Sequence, residues 1–170
     1  MTTQIKGNAT STFGGNIDVT GNVVTDAPLF YAGKTDSAQS VSPNTATKIT
    51  FNNAIYNLSS NYDTSTSRFT PTVEGYYQII AQTYLQGPDT DKYNQMILRK
   101  NGSTILYGDQ NLSNSAYDLQ GRFNAIIYAN GSTDYFEIYV YHNNSTARNI
   151  WNSSGGTFFQ GYLVRAVWVQ

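Results

Sequence analysis

From residue 27 onward the sequence is a succession of short segments in which apolar and polar residues alternate, separated by turn signals. The segments lie at 28–32, 47–58, 68–72, 75–85, 93–100, 104–107, 118–129, 133–142 and 157–168. The pairs Asn101-Gly102 and Asn130-Gly131 stand between such segments, and Asn-Gly favours a tight β-hairpin turn. The pattern therefore predicts an all-β sandwich of antiparallel strands with hairpins at both pairs.

Composition excludes several other classes. Charged residues make up 12% of the chain, whereas 14 Tyr and 8 Phe supply good strand formers, which argues against a helical bundle and against a disordered chain. The formal net charge of −1 gives no electrostatic footprint for nucleic acid or for an anionic membrane. The longest apolar runs, such as 125–129, are far shorter than the ~20 residues of a membrane-spanning helix, so we expect no membrane insertion.

The chain contains no cysteine, which excludes disulfides, a thiol nucleophile and thiolate metal sites. Its first residues lack the basic start and the apolar core of a secretory signal. We therefore expect a protein that folds in the cytoplasm and acts on a surface elsewhere.

Residues 1–26 differ from the remainder. They contain no aromatic residue except Phe13, and Gly-Asn pairs recur at 7–8, 15–16 and 21–22. Strands this short cannot bury themselves, so the segment is predicted to be either a flexible tail or an attachment stalk wound with copies from other chains. The chain thus divides into an N-terminal segment, 1–26, and a globular domain, 27–170.

Alternation predicts a second buried surface. In segment 133–142, Tyr135, Tyr139 and Tyr141 share one face, and the opposite face is apolar. Tyr76 and Tyr84 likewise share one face of a segment that is apolar on both sides. Because a monomeric sandwich leaves its outer faces polar, and because tyrosine suits interfaces, we expect these five residues in an oligomer contact.

A spaced set of anchor residues carries a family resemblance. The six anchors, in order, are Phe51, Asn57, Tyr62, Phe69, Gly75 and Tyr77. The numbers of residues between successive anchors are five, four, six, five and one. This resembles the signature of the complement C1q/TNF-like jelly-roll family, F-x5-[ND]-x4-[FYWL]-x6-F-x5-G-x-Y-x-F-x-[FY]. Ile79 and Ala81 replace the last two aromatics, which alters local packing only.

The resemblance extends over residues 27–168. Residues 159–163, Phe-Gln-Gly-Tyr-Leu, resemble the family's closing strand, and 28–32 resemble its first strand. It implies a ten-stranded antiparallel jelly roll that forms a compact homotrimer, with apical loops available for ligand or partner binding.

No catalytic site is predicted. His142 is the only histidine and is expected to be solvated at a strand end. A serine triad would need a nucleophile beside it, and no Gly-x-Ser-x-Gly elbow is present. Glu74 in a turn and Glu137 among tyrosines fit poorly as paired carboxylates. We therefore expect a protein that is not an enzyme.

Calcium is the one cofactor that the resemblance suggests. Some family members hold Ca²⁺ near the trimer apex, and Asp109 and Asp118 fall at matching places. Three copies around an axis could supply the oxygens that Ca²⁺ prefers. Asp89 and Asp91 form a second candidate loop. The alternative is that these aspartates simply occupy turns.

The residues predicted to bind a ligand lie in the polar loops and their flanks. Aromatic faces and amide groups suit carbohydrate, and the candidates are Tyr107, Asn111, Tyr117, Arg148 and Trp151. Trp151 is the strongest candidate because an aromatic residue in an Asn-rich loop suggests a role in binding. The alternative is that Trp151 packs against a neighbouring strand or subunit.

Three roles fit these features. The first is a bacteriophage virion protein, a trimeric fibre or head/tail decoration protein that joins other virion proteins through its N-terminus and recognises a host-surface glycan or protein. The second is a capsid cement trimer without a receptor. The third is a secreted, extracellular C1q/TNF-like ligand, for which a signal peptide or a collagen-like stalk is expected.

Overall fold

The computed structural model describes residues 27–114 and 117–167, so the N-terminal segment 1–26 lies outside the described residues. Every regular element in the described part is a β-strand, and all pairings are antiparallel. No helix in these two ranges is long and apolar enough to cross a membrane. The prediction of an all-β antiparallel fold is confirmed.

Thirteen strand segments make up the described fold. They are β1 (Leu29–Gly33), β2 (Gln39–Val41), β3 (Thr47–Lys48), β4 (Asn53–Leu58), β5 (Tyr62–Asp63), β6 (Arg68–Phe69), β7 (Glu74–Leu85), β8 (Tyr93–Lys100), β9 (Ser103–Leu112), β10 (Leu119–Asn130), β11 (Phe136–His142), β12 (Arg148–Ile150) and β13 (Phe158–Ala166).

The strands form two sheets. A seven-stranded sheet has the order β2-β12-β7-β13-β1-β4, with β10 paired along the whole of β7. A six-stranded sheet has the order β5-β6-β11-β8-β9, with β3 also paired to β11. The inner faces of the two sheets enclose one core of buried apolar residues.

The core explains the spacing of the anchor residues. Phe30 stacks on Tyr62 and Phe69, with ring centroids 4.8 and 4.5 Å apart, and meets the edge of Phe159 at 4.8 Å. Phe69 in turn contacts the edge of Tyr77 at 5.5 Å. The aromatic anchors therefore form one packed cluster that holds the two sheets together.

The polar and glycine anchors shape the backbone. Asn57 closes the turn before β5, because its side-chain amide donates to Tyr62 O at 2.7 Å and its Oδ1 accepts from Tyr62 N at 3.0 Å. A Cβ on Gly75 would lie 2.4 Å from the carbonyl oxygen of Arg165. Only glycine lets β13 approach β7 this closely.

The segment predicted as one strand over 47–58 is instead two strands in different sheets. β3 pairs with β11 in the six-stranded sheet, and β4 pairs with β1 in the seven-stranded sheet. Between them Ile49 and Phe51 are buried in the core, and Phe51 N donates to Ser67 Oγ at 3.0 Å. Alternation alone does not reveal where a chain passes from one sheet to the other.

The two Asn-Gly pairs behave differently. Asn101 and Gly102 both have positive φ, 53° and 78°, and join the paired strands β8 and β9 as a tight hairpin. Asn130-Gly131 makes no hairpin, because β10 and β11 belong to different sheets. There Asn130 Oδ1 accepts from the backbone N–H groups of Ser132, Thr133 and Asp134, each at 3.0 Å.

Candidate functional site

The outer face of the seven-stranded sheet is rich in large aromatic and aliphatic side chains, which alternate with polar ones such as Gln78 and Asn124. By strand alternation and register it presents an extensive aromatic and aliphatic surface, here called the apolar face, whose members include Tyr31, Tyr56, Tyr76, Tyr84, Ile126, Tyr128 and Tyr162. Tyr76 and Tyr128 are opposite each other, with ring centroids 5.7 Å apart. Tyr76 is 46% exposed and Ile126 is 57% exposed. Exposed aromatic surfaces of this kind are typical of protein–protein contacts.

The outer face of the six-stranded sheet has a different chemistry and is here called the charged face. Glu137, 3% exposed at its side chain, accepts from Lys48 Nζ at 2.6 Å and from Arg68 Nε at 2.8 Å. Burial alone raises the pKa of Glu137, but the hydrogen bonds from these two cations outweigh it and hold that pKa below its ordinary value. The guanidinium carbon of Arg68 lies 4.1 Å from the centre of the Tyr135 ring, just before β11. That of Arg99 lies 4.0 Å from the centre of the Tyr139 ring, within β11.

The five tyrosines predicted for the oligomer contact lie on opposite sides of the sandwich. Tyr76 and Tyr84 belong to the apolar face. Tyr135, Tyr139 and Tyr141 belong to the charged face. A contact made by one outer face alone would therefore include only one of the two groups. Alternation within one strand does not show which sheet that strand joins.

Three loops meet at one end of the sandwich. Asp118 Oδ1 accepts from Gly87 N at 3.0 Å, which joins the loop before β10 to the loop after β7. Asp89 N, in that second loop, donates to Asn144 Oδ1 at 2.6 Å, which joins it to the loop after β11. The Asp118 carboxylate and the Asn144 side-chain amide thus fasten these loops to one another by accepting from backbone N–H groups.

Four of the predicted ligand residues belong to this end. Asn111 Nδ2 donates to Gln120 O at 2.5 Å, and Tyr117 is 83% exposed. Arg148 forms an ion pair with Asp89 and also donates to Thr146 Oγ1 at 2.9 Å. Arg148 therefore helps to hold the loops together, whereas Tyr117 presents its ring to solvent.

Trp151 packs against a neighbouring strand and is also partly exposed. Its ring meets the edge of Tyr84, with centroids 5.7 Å apart and planes at 88°, and Trp151 N donates to Tyr84 O at 3.0 Å. The side chain is nevertheless 41% exposed. It is held in place from one side and accessible from the other, which suits a stacking surface.

Tyr107 lies apart from the loop end, in a groove on the charged face. The groove has a volume of about 400 Å³, and its lining residues are Ala46, Tyr93, Gln95, Ile97, Arg99, Thr104, Tyr107 and Tyr141. The sequence analysis did not single out Tyr93 or Arg99. Alternation in β8 could have indicated them, because Tyr93, Gln95, Ile97 and Arg99 share one face of that strand.

Of the candidate metal residues, Asp89, Asp91 and Asp118 lie in loops and turns, whereas Asp109 lies within β9. Within residues 27–114 and 117–167, no three His, Cys, Asp or Glu side chains gather in a way that could hold a metal ion. Asp89 accepts from both Ser145 N and Ser145 Oγ, at 2.8 and 2.7 Å, and these bonds lower its pKa. Asp91 has a positive φ of 59°, a turn conformation. These contacts favour the turn role for Asp89 and Asp91.

His142 is fully buried, so its prediction as a solvated residue is wrong. It is the last residue of β11 and lies on the inward face with Ile138 and Val140. Its Nε2 lies 3.1 Å from Val41 O, and its Nδ1 accepts from Asn144 N at 3.2 Å. Burial lowers the pKa of His142, which favours the neutral ring.

The architecture defines a class of protein, the two-sheeted antiparallel jelly-roll domains. Within that class, the chain belongs to the C1q domain family, whose model matches residues 29–164. The outline of the fold that the sequence resemblance implies is thereby confirmed. No curated protein matches the chain at the level of sequence.

Solved structures agree with this assignment. The globular domain of zebrafish complement 1qA protein is 13% identical with a TM-score of 0.57, and the match covers 82% of this chain and 99% of that one. Murine APRIL, at pH 8.5, is 8% identical with a TM-score of 0.59 over 81% and 99% of the two chains. Eiger TNF from S. frugiperda is 13% identical with a TM-score of 0.57 over 84% and 96%.

The family sets the general type of activity. Members of the C1q/TNF-like family are trimeric proteins that bind ligands or receptors, and they are generally not enzymes. The identities, all below 15%, speak for a shared fold alone.

Proposed function

We propose that this protein is a homotrimeric, non-enzymatic virion protein of a bacteriophage, a fibre or a head/tail decoration protein whose C1q-like head recognises a host-surface glycan or protein. The observation that carries the proposal is the apolar face, an exposed aromatic surface on a fold whose family is trimeric. The repeated Gly-Asn pairs of 1–26 support attachment to other virion proteins. The lack of cysteine fits assembly in a reducing host cytoplasm.

Trimerisation through the apolar face removes its tyrosines and isoleucines from water. A stable interface buries roughly 800 Å² on each partner, an area that the many large side chains on this face could supply. The charged face is a poorer candidate for this contact. Two of its tyrosines, Tyr135 and Tyr139, already lie beneath arginines. Burying Lys48, Arg68 and Glu137 would remove charges from water.

The oligomeric state tests this part of the proposal. Light scattering at micromolar concentration is expected to give the mass of three chains. Ile126→Asp, which introduces a charge into the apolar face, is expected to yield monomers, whereas the matched substitution Tyr141→Asp on the charged face leaves the trimer intact. A monomeric wild-type protein would refute the trimer, and dissociation by Tyr141→Asp alone would move the contact to the other face.

Host recognition is tested on particles. Because Trp151 and Tyr117 expose aromatic rings at the loop end, particles that carry Trp151→Ala or Tyr117→Ala are expected to adsorb more weakly to host cells. Incorporation of the variant into the particle is measured alongside as a control. Normal adsorption by both variants would remove these residues from the binding surface.

Attachment through the N-terminal segment has its own test. A chain without residues 1–26 is expected to form a soluble trimer that no longer joins the particle. Unchanged incorporation would contradict an attachment role for that segment.

The reading frames beside the gene distinguish the virion role from the extracellular alternative, since capsid or tail genes are expected there. A cement trimer would instead leave adsorption unchanged and weaken the particle when deleted.

The protein is proposed to need no cofactor, and Ca²⁺ at the trimer axis is the one exception that the sequence suggests. Asp118 is partly engaged, since it accepts from Gly87 N, and Asp109 is exposed. Calorimetric titration of EDTA-treated trimer with Ca²⁺ decides the matter. Stoichiometric uptake that is lost in Asp118→Asn would establish the site, and the absence of binding heat would remove it.

A further inference from the structure

The groove on the charged face is built by an irregular strand pair. β8 and β9 pair from Tyr93↔Leu112 to Lys100↔Ser103, but the register shifts twice, between Gln95 and Ile97 and again between Leu98 and Arg99. Such irregularities bend a strand and redirect its side chains, and they are frequent beside binding sites. Here they occur in the strand that supplies Gln95, Ile97 and Arg99 to the groove.

Arg99 is the one cation of this groove, and its charge is not neutralised. Among the described residues Arg99 makes no ion pair, and its Nε is buried without an acceptor. Glu137, opposite Arg99 in the β8–β11 register, already accepts from Lys48 and Arg68. Lys48 and Arg68 thus share one carboxylate, with Arg99 opposite it, and a second carboxylate would reduce the excess of positive charge.

The guanidinium of Arg99 is also held in position. It lies 4.0 Å from the centre of the Tyr139 ring, a cation–π contact that limits its rotation. An arginine with fixed orientation and unused donors is suited to bind a carboxylate with two parallel hydrogen bonds. Because Nε itself is inaccessible, a carboxylate would be bound through the two terminal nitrogens of the guanidinium.

The remaining wall of the groove is aromatic. Tyr93 and Tyr141 lie side by side with ring centroids 5.8 Å apart and planes at 30°, and Tyr107 is 61% exposed. Rings of this kind offer apolar faces for the C–H groups of a sugar and hydroxyls for its oxygens. A volume of about 400 Å³ has room for a small ligand of one or two sugar units.

We infer that this groove binds an acidic saccharide, with the carboxylate of a uronic or sialic acid unit on Arg99 and the sugar ring against Tyr93, Tyr107 and Tyr141. The inference rests on the proposed function and adds to it a second binding site, apart from Trp151 and Tyr117, with its own ligand class. The two faces are on opposite sides of the sandwich, so a partner seated on the apolar face does not itself cover the groove of the same chain.

The experiment uses the full-length wild-type protein and four probes. Trigalacturonate and 3′-sialyllactose carry a carboxylate, whereas trigalacturonate methyl ester and lactose are their neutral counterparts. Calorimetry or chemical-shift titration is expected to show saturable binding of at least one acidic probe, with the neutral counterpart bound at least about tenfold more weakly. Binding of trigalacturonate would indicate a uronic acid ligand, and binding of 3′-sialyllactose a sialic acid ligand. Binding of neither acid, or equal binding of acid and neutral probe, would overturn the inference.

Variants locate the site. Arg99→Gln is expected to weaken acidic-probe binding by about tenfold or more, and Arg99→Lys by less, because lysine keeps the charge but loses the planar donor pair. Tyr107→Ala is expected to weaken binding of the same probe. The control Arg122→Gln changes an arginine of the apolar face and is expected to leave binding unchanged. Full affinity in Arg99→Gln, with its thermal unfolding unchanged, would overturn the assignment.

The outcome separates this inference from the proposed function. If the protein binds acidic sugars but particles lacking it adsorb normally, the groove assignment stands and the host-recognition role fails. If Trp151→Ala abolishes adsorption and no acidic probe binds, the role stands and the groove assignment fails.

Discussion

Arg68 and Glu137 are 69 positions apart in the sequence, yet Arg68 Nε donates to Glu137 Oε1 at 2.8 Å. Lys48 Nζ shares the same oxygen at 2.6 Å. The carboxylate therefore joins β3 and β6 to β11, which places three sections of the chain in one sheet. The Glu137 side chain is almost inaccessible to water, so these hydrogen bonds replace the hydration of its carboxylate.

Replacement of this carboxylate is predicted to destabilise the fold. Glu137→Gln leaves Lys48 and Arg68 without their counter-charge, and we expect the free energy of unfolding to fall by about 2–3 kcal/mol. Urea denaturation measures the change. As a control, Glu74→Gln alters an exposed contact with the Tyr128 hydroxyl and should stay within about 0.5 kcal/mol. Equal effects of the two substitutions would contradict a structural role for Glu137.

The core aromatic cluster predicts a larger effect. Phe30 is fully buried between Tyr62, Phe69 and Phe159, so Phe30→Ala removes contacts with all three rings and leaves a cavity. We expect a loss of about 3–5 kcal/mol, and a smaller loss for Phe30→Leu. Tyr117→Ala, at an exposed position, is the matched aromatic control. A similar loss in the control would show that the measurement does not report on the core.

Gly131 is predicted to tolerate no side chain. Its φ is +68°, and a Cβ there would lie 2.2 Å from the backbone nitrogen of Glu74. Gly131→Ala is expected to cost about 2–4 kcal/mol through backbone strain and overlap. Gly155→Ala, with no atom within 4 Å of the new Cβ, should change the unfolding free energy by less than about 0.5 kcal/mol. Thermal unfolding of the two variants compares them directly.

Stability is predicted to depend on pH through His142. Burial lowers the pKa of His142, while Val41 O and Asp89 favour the protonated ring and Arg148 disfavours it. Because the unfolded chain then binds the proton more readily, stability is complete above about pH 6.5 and falls as the pH decreases toward the lowered pKa of the folded state. Denaturant unfolding at several pH values between about 5 and 7.5 measures this slope.

The variant His142→Gln provides the control for that slope. It is expected to flatten the dependence in this pH range, since no other histidine is present in the chain. An NMR titration of the ring in the folded protein offers a direct check. A midpoint at or above about 6.5 would contradict the prediction.

Sequence reasoning predicted the class of the fold because the relevant signals are local. Alternation identified the strands, and the spacing from Phe51 to Tyr77 pointed to residues that all serve the core or its turns. At Asn101-Gly102 a local turn preference was sufficient to predict a hairpin. At Asn130-Gly131 the same preference was misleading, because the next strand pairs in the other sheet.

Prediction of the candidate sites was less complete. Trp151 and Tyr117 were selected because aromatic residues are conspicuous in polar loops, and both are accessible. Arg99 carries no such local signal, since an arginine on a strand is ordinary. In the part of the chain that the structure describes, Arg99 has no ion-pair partner because Glu137, opposite it, already accepts hydrogen bonds from Lys48 and Arg68, which come from distant parts of the chain.

The amino-acid sequence by itself determined that this chain forms antiparallel strands with a packed aromatic core, because strand formation and turn formation depend on neighbours along the chain. Only the tertiary structure decided which sheet each strand joins, and therefore which outer face is apolar and which is charged. It buried His142 and divided the tyrosines between two surfaces for the same reason. Pairing between strands links residues far apart in sequence, and alternation along a single strand does not contain that information.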